Sequence, residues 1–559
     1  VRYALAVLLI VVGLVAGGIG VLQKTLWAPS DTITASATMH KSDDLIVVEP
    51  GMLNLYDPPA TLKVSGHGDL SISQAPADNV DAWVGNSPHT EITGLKSQHT
   101  LATKTAKGSG PSADPRGDDL WVKQSTGTDT LSMKWDKEAG RTAFLIATDG
   151  ASHANGKDSA KDSGKSTDKT TVSISWPSHA TTPWATPLMV IGGIILLIGL
   201  ILLGFFFVDG FRRRKRRKAR AFRHKNAAMP GGAAMIAAAL VLAGCSGPPE
   251  LPKPSPSASP TAAQPVLTKG QLHSVLDKIS AATEAGDKAK SADKLGDRVT
   301  GPALAKRKAI YRLQKKKATT EKPTAVAADP VLLNVTTATD SWPRVTVVVT
   351  KSKNADVPQL LDLYQKNPRS PYQLWSSVNL LPGAQVPPTP NPKNGSALLP
   401  PDEDGLELTP RDAAKHYADI LTKGAKSKYD KQFAPDAFRK NLLKYQKKQK
   451  DSLESAKATI DFEHKADPKG MVVTEAGNDG ALVLAHLSST TTIKPESVDG
   501  RTGSITVPDK LAKLLGEKTT HSPVRTNYSE TVLFFVPKKS SGHIKVLGVD
   551  NTLTGGKTL

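Results

Sequence analysis

Two uninterrupted runs of uncharged, mostly apolar residues constrain this chain more than any other feature. Tyr3 to Leu22 covers 20 residues and Leu188 to Val208 covers 21. At about 1.5 Å per helical residue, each is long enough to cross roughly 30 Å of hydrocarbon. Trp27 follows the first run and Trp184 precedes the second, where amphipathic rings favour the headgroup layer. The 559 residues, 39% hydrophobic and 22% charged, look soluble only on average, because the apolar residues are gathered in blocks. Length alone allows about three or four domains.

Charge distribution gives the orientation. The net charge is +20, yet residues 28–185 carry 14 Lys/Arg against 19 Asp/Glu, while residues 246–559 carry 46 against 32. Ten further basic residues lie within 212–226. Arg212, Arg213, Arg214, Lys215, Arg216, Arg217 and Lys218 directly follow the second apolar run, and Arg220, Arg223 and Lys225 extend them. Such a run stays on the cytoplasmic face and meets anionic lipid headgroups. It has no aromatic interleaving beyond Phe222, so nucleic acid is not the expected partner. Residues 28–185 are then outside.

A third, alanine-rich block ends in Leu242-Ala243-Gly244-Cys245, and Cys245 is the only cysteine in the chain. A single cysteine excludes an intramolecular disulfide and any multi-cysteine metal site. A basic region, a short apolar region and small residues before the cysteine form the pattern of a secretory signal. Leu242, Ala243, Gly244 and Cys245 resemble the lipobox of bacterial lipoproteins. The resemblance implies a diacylglycerol thioether on Cys245, with a peptidase recognising Leu242, Ala243 and Gly244 and cutting after Gly244. No other cofactor is expected. Its internal position leaves three readings: cleavage before Cys245, an uncleaved third span, or two neighbouring reading frames fused. Each places residues 246–559 outside.

Strand-like segments in 28–185 run over Thr32–Met39, Leu45–Val48, Ala60–Val64, Leu70–Ser73, Leu120–Lys123, Leu131–Trp135, Thr142–Ala147 and Thr171–Trp176. Short strands between Gly, Pro, Asp and Ser turns point to an all-β sandwich. Residues 150–170 are too polar to bury and read as a loop or insert. Beyond Cys245 two units share an element order. Each opens on Leu-Thr, at Leu267-Thr268 and Leu408-Thr409, and continues with an amphipathic helix carrying Leu272, Val275, Leu276 and Ile279 or Ala413, Ala414, Tyr417 and Ile420. A basic helical segment follows, at 302–316 or 435–450, and then strands. Late strands correspond too, with Val345–Thr350 and Tyr372–Leu381 matched by Thr531–Pro537 and His543–Leu553. The order points to duplication.

The expected architecture is a multidomain membrane protein. A transmembrane helix (1–27) leads to the β-sandwich ectodomain (28–185), a second transmembrane helix (186–209) and a polybasic cytoplasmic hinge (210–226). A lipoprotein-signal-like segment or third span (227–245) and a Pro/Ser-rich tether (246–265) precede two α+β units (266–386 and 406–559), joined by a Pro-rich linker (387–405). Helices followed by a curved antiparallel sheet make the two units similar to the α+β cone of the ketosteroid isomerase and SnoaL-like superfamily. The tandem behind a lipobox resembles actinobacterial lipoproteins of unknown function joined to a membrane protein.

Enzymes of the cone superfamily place an acid–base carboxylate and a tyrosine or second acid in the mouth of the sheet, which nominates Asp461, His464 and Tyr528. Alternation puts Asp461 and His464 on opposite faces of a strand, and solvated edge residues are the plainer reading. His486 interrupts an apolar strand and reads as a hydrogen-bonded sheet histidine. No nucleophile elbow, phosphate loop or metal-spaced carboxylate pair occurs. Lys315-Lys316-Lys317 and Lys444 through Lys450 make solvated helix faces, or else attract anionic headgroups or acidic wall polymers. The expected role is a bacterial cell-envelope protein, non-catalytic, binding a partner protein or an anionic polymer, or scaffolding at the bilayer. The alternative is a carrier or an isomerase- or hydrolase-like enzyme holding an apolar ligand in a cone.

Overall fold

The computed structural model describes residues 2–39, 45–136, 141–148, 169–178, 181–216, 250–255, 262–353, 355–455, 457–498 and 501–559. Two long helices, α1 (Arg2–Lys24) and α3 (Ala185–Arg216), form an antiparallel pair. Both are long and apolar enough to cross a membrane, with mean hydropathy 2.8 and 2.9. Glycine lets them meet backbone to backbone: a Cβ on Gly13 would lie 2.6 Å from the Leu196 amide nitrogen, and one on Gly20 would lie 2.8 Å from the Ala185 carbonyl. At the far end the Tyr3 hydroxyl donates to the Phe206 carbonyl at 2.8 Å. Only 17% and 11% of the two apolar stretches are covered by protein, which is not how the core helix of a water-soluble domain sits.

The β-rich part comprises β1 (Thr32–Met39), β2 (Leu45–Val48), β3 (Ala60–Pro76), β4 (His89–Ser97), β5 (Thr100–Ala106), β6 (Lys123–Trp135), β7 (Thr142–Ala147) and β8 (Thr170–Pro177), with a short helix α2 (Ala77–Val84). The expected sandwich is not what the pairing gives. Order β3-β7-β2-β4-β5-β1-β8 returns to β3, so seven strands form a barrel-like sheet, and β6 flanks β3 on its other edge. The reason lies at Gly66-His67-Gly68, which reads as a turn between two short strands. The chain instead passes through a bulge between Ser65 and Asp69 and continues as one long strand. Thr61–Ser65 of β3 pair with β8 while Ser71–Pro76 pair with β7, closing the seam. Leu62, Ile72, Ile146, Ile174 and Trp176 fill the interior. On the outer surface Leu45, Leu145, Val80, Trp83 and Trp121 make a second cluster under α2.

The distal part contains two α/β units of like build. In the first, α4 (Lys269–Ala289) and α5 (Gly301–Lys315) cover one face of an antiparallel meander of β9 (Val331–Thr336), β10 (Arg344–Thr350), β11 (Gln359–Gln365) and β12 (Gln373–Asn379). In the second, α6 (Pro410–Lys423) and α7 (Ala437–Ser455) cover β13 (Ala458–Glu475) and β14 (Gly480–Pro495). Two short hairpins follow, β15 (Ser497–Val498) with β16 (Arg501–Thr502) and β17 (Ile505–Thr506) with β18 (Thr519–Thr520), the latter enclosing helix α8 (Asp509–Leu515). The meander then finishes with β19 (Val524–Pro537) and β20 (Lys545–Thr558). Both sheets keep sequential strand order, and Tyr372–Leu381 and His543–Leu553 both fall on fourth strands, but Val345–Thr350 lies in the second strand of its sheet and Thr531–Pro537 in the third of its own, so that pair does not correspond.

The two sheets pack back to back. Val345, Val347, Val349 and Leu360 of the first unit meet Leu482, Leu484, Leu533 and Phe535 of the second in one apolar cluster. This explains why β10 is buried at every position: helices cover one face and the partner sheet the other. The proline-rich stretch 387–405 is stitched to both units, with Ser396 bridging Thr337 and Leu398 bridging Thr474.

Candidate functional site

The sequence-nominated residues of the second unit separate into two groups. Asp461 is exposed and accepts from the Lys494 ammonium at 3.1 Å. His464 is buried, unlike the solvated residue expected, because α6 and α7 close over its face of β13. Its Nδ1 donates to Glu530 Oε2 at 3.0 Å, and its backbone amide donates to Thr422 Oγ1 at 2.9 Å. Glu530 Oε1 accepts from Ser489 Oγ at 2.8 Å and Asn551 Nδ2 at 3.1 Å. Register aligns His464 with Ser489 and Ser489 with Tyr528 across three strands. The carboxylate is thus saturated by protein donors, and Ser489 points its proton at Glu530 rather than at a histidine. That geometry stabilises a sheet; it does not activate a nucleophile. His486 Nε2 lies 2.8 Å from Ser529 Oγ, and burial holds its pKa below the usual histidine value despite nearby Asp467 and Glu530. Among the described residues no group of three or more His, Cys, Asp or Glu is placed to hold a metal ion.

Cys245, Leu242, Ala243, Gly244, Arg217 and Lys218 lie outside the described residues. Arg212, Arg213, Arg214, Lys215 and Arg216 continue α3 beyond its apolar stretch. The antiparallel pairing sets that end of α3 beside the start of α1 and leaves Lys24, Trp27 and Trp184 toward the β-barrel.

A dense polar convergence, absent from the sequence expectations, forms a joint between barrel and first distal unit. At its centre is Asp119, in the loop between β5 and β6, with no exposed side-chain surface. Lys278 of α4 donates to its Oδ1 at 2.7 Å, the Tyr372 amide donates to Oδ2 at 2.9 Å, and Arg298 donates to both oxygens. Burial alone would push this carboxyl up, but the Arg298 and Lys278 hydrogen bonds and charges outweigh it and hold the pKa below the usual carboxylate range. Adjacent Asp118 accepts, among the described residues, a single side-chain bond, from the Trp83 indole at 2.9 Å, and burial raises it to about 6.

Local sequence explains how the partners are presented. Thr268 caps α4 and Gln271 completes a capping box; the other end of the Gln271 amide donates to the Asp119 and Leu120 carbonyls at 3.2 and 3.0 Å. The start of α4 is thereby pinned to the barrel. A second anchor is Arg369, whose guanidinium donates to the Trp83 and Val84 carbonyls at 2.7 and 2.9 Å, to Pro111 O at 2.9 Å and to Ser87 Oγ at 2.7 Å. It lies 4.7 Å above the Trp83 ring and satisfies carbonyls at the C-terminal end of α2, where a cation is favoured. A third anchor is Arg344, stacked 3.7 Å over Trp342 and donating to Asn79 Oδ1 at 2.8 Å. Trp342 itself packs against the cluster under α2.

Leu120–Lys123 has the composition of a strand, but β6 begins at Lys123, and Leu120 and Trp121 are buried loop residues. Asp118-Asp119-Leu120-Trp121 does carry a signal, since two acids directly before two large apolar residues are unusual in a solvated turn. No curated protein and no solved structure matches the chain. The model of a domain of unknown function, DUF8094, matches residues 263–558, from just before the cap of α4 to the end of β20. With more than half its length matched, the chain belongs to the DUF8094 family.

Proposed function

We propose that this chain is a membrane-anchored cell-envelope module, in which α1 and α3 span the cytoplasmic membrane and the barrel and DUF8094 part act together outside as a non-catalytic binding or scaffolding unit. The observation that carries this reading is the buried Asp119 joint, because two parts locked by an ion cluster occupy one compartment. α3 leads away from the barrel and toward the polybasic run, while the DUF8094 part is seated on the barrel. The apolar segment 227–244 then supplies the return crossing, either as a third span or as a lipoprotein-type signal cut before Cys245. In the second case the joint holds together two separate chains, and diacylglycerol on Cys245 anchors the distal one. The saturated His464–Glu530 network supports a non-catalytic role, since its acceptors are already occupied.

Cysteines introduced at Thr128 in the barrel, Ser541 in the second unit and Ala221 in the hinge, each in a Cys245→Ala chain so that it is the sole thiol, test the arrangement. Thr128 and Ser541 are exposed. With an impermeant thiol reagent on whole cells, Thr128→Cys and Ser541→Cys are expected to label and Ala221→Cys is not. Labelling of Ala221→Cys, or protection of Ser541→Cys in cells with reaction after lysis, overturns the proposal. Intact mass of the extracted protein, compared with Cys245→Ala, reports cleavage and lipidation.

A further inference from the structure

Beside the joint lies a cleft of about 570 Å³ walled by both parts, within the size range of small-molecule sites. From the barrel come Pro76 and Val122; from the distal part come Val266, Leu267 and Arg344. The N-terminus of α4 opens into it, with Thr268 and Lys269 on the wall, and Lys393 stands at the rim. Arg344 is the unusual member. It is only 3% exposed, yet its Nε and Nη1 have no hydrogen-bond partner, and Nη2 alone is engaged, by Asn79. Among the described residues no carboxylate forms an ion pair with it; Asp340 and Asp78 also line the cleft, but both are exposed. A buried guanidinium with two orphaned donors is costly unless something fills them.

We infer that this cleft binds an amphiphile with an anionic headgroup, a carboxylate or a phosphate, held by Arg344 and the N-terminal end of α4, with its apolar body against Val122, Val266 and Leu267. The helix dipole and Lys269 favour negative charge at that end. Arg141, Lys269, Arg344 and Lys393 line the cleft against Asp78 and Asp340, a surplus of cations that suits an anionic group. Because Asn79 and Val122 belong to the barrel while Arg344 and α4 belong to the DUF8094 part, the site is complete only when the joint is formed. The inference rests on that joint and is independent of which side of the membrane it occupies.

The test uses the full chain in phosphatidylcholine nanodiscs, titrated calorimetrically with hexanoate and hexyl phosphate against empty discs. Acetate, inorganic phosphate and hexanol report headgroup and body separately. At least one of the two amphiphiles is expected to bind tenfold or more tightly than the headgroup alone or the alcohol, and the stronger of the two identifies the carboxylate or the phosphate source. Arg344→Met is expected to weaken that binding at least tenfold. As loss of Arg344 also touches the joint, Lys393→Gln at the exposed rim serves as the second variant, weakening binding severalfold at an unchanged melting temperature. Anions that bind no better than hexanol, or that bind Arg344→Met as well as wild type, overturn the inference.

Discussion

Asp362 occupies the middle of β11 and faces the apolar seam between the two distal sheets, paired across the strands with Val347 on one side and Ser376 on the other. Its carboxyl is completely buried, and neither oxygen has a hydrogen-bond partner. Burial alone pushes its pKa up to about 8. Relative to an ordinary carboxylate near 3.8, that rise sets the ionised form roughly 6 kcal/mol above its solvated level. The folded state therefore keeps a proton that the unfolded chain has released between about pH 4 and pH 8. Stability is fully present below about pH 4 and falls by about 1.4 kcal/mol per pH unit until Asp362 ionises in the folded state near pH 8. From pH 5 to pH 7.5 this group alone removes about 3 kcal/mol, or on the order of 10 °C in melting temperature for a unit of this size. Asp362→Asn keeps the shape and removes the titration; Asp362→Val also removes the unpaired polar group and suits a strand. Calorimetric melting of the full chain at pH 5, 6 and 7.5 should show the distal transition falling more steeply in wild type than in Asp362→Asn. Asp362→Val should melt highest at pH 7.5. Equal slopes for wild type and Asp362→Asn would refute the assignment of a buried proton.

Three further outcomes follow from the geometry. Asp119→Ala leaves Arg298 and Lys278 facing each other without their acceptor and is expected to weaken the joint by about 3 kcal/mol; hydrogen exchange at Leu120 and Trp121 should rise while the second unit is unaffected. Gly13→Leu places side-chain atoms where the Leu196 backbone lies and should separate α1 from α3, read as loss of cross-linking between cysteines at Tyr3 and Phe206. Glu530→Ala strips His464, Ser489 and Asn551 of a common acceptor and should lower the melting temperature of the distal part by several degrees, whereas Asp461→Asn at the exposed edge should be nearly silent.

Local order was legible where periodicity is strong and one face is buried. Leu272, Val275, Leu276 and Ile279 mark the buried stripe of α4, and Ala413, Ala414, Tyr417 and Ile420 that of α6. Thr32–Met39, Leu45–Val48 and Thr142–Ala147 are strands with the expected bounds. β4 and β5 carry little signal because β4 alternates its burial through Thr90, Ile92 and Gly94 and β5 buries Leu101 alone, with no run of aliphatic residues in either. Closure of the barrel was illegible for a different reason: Gly66-His67-Gly68 has the composition of a turn, and only pairing to β7 and β8 together shows that the strand continues. His464 was read as edge-exposed because alternation assigns a face but does not say that α6 and α7 cover it. The joint was hidden more deeply, since Asp119, Arg298, Arg344 and Arg369 are scattered over some 250 positions and acquire meaning only through contact.

The distal lysine runs read first as solvated helix faces, with lipid headgroups or acidic polymers as the alternative; the joint gives other basic residues of that half a different use. Lys278, Arg298, Arg344 and Arg369 all face the barrel, whose segment carries more acids than bases. Two such surfaces attract before they touch, which speeds encounter and disfavours wrong registers. An apolar joint of equal area could hold as firmly, because desolvating Asp119, Lys278 and Arg298 offsets much of their attraction. What the ion cluster adds is selectivity: Asp119 is satisfied only when Lys278, Arg298 and the Tyr372 amide arrive together. Under the proposed arrangement, in which the two parts reach one face of a membrane by separate crossings, that property matters most. If the chain remains whole, the intervening segment keeps the parts at high effective concentration and the charges mainly set register. If it is cut before Cys245, anchoring both products in one bilayer takes over the role of the covalent link, and the same charges decide which neighbour each product finds.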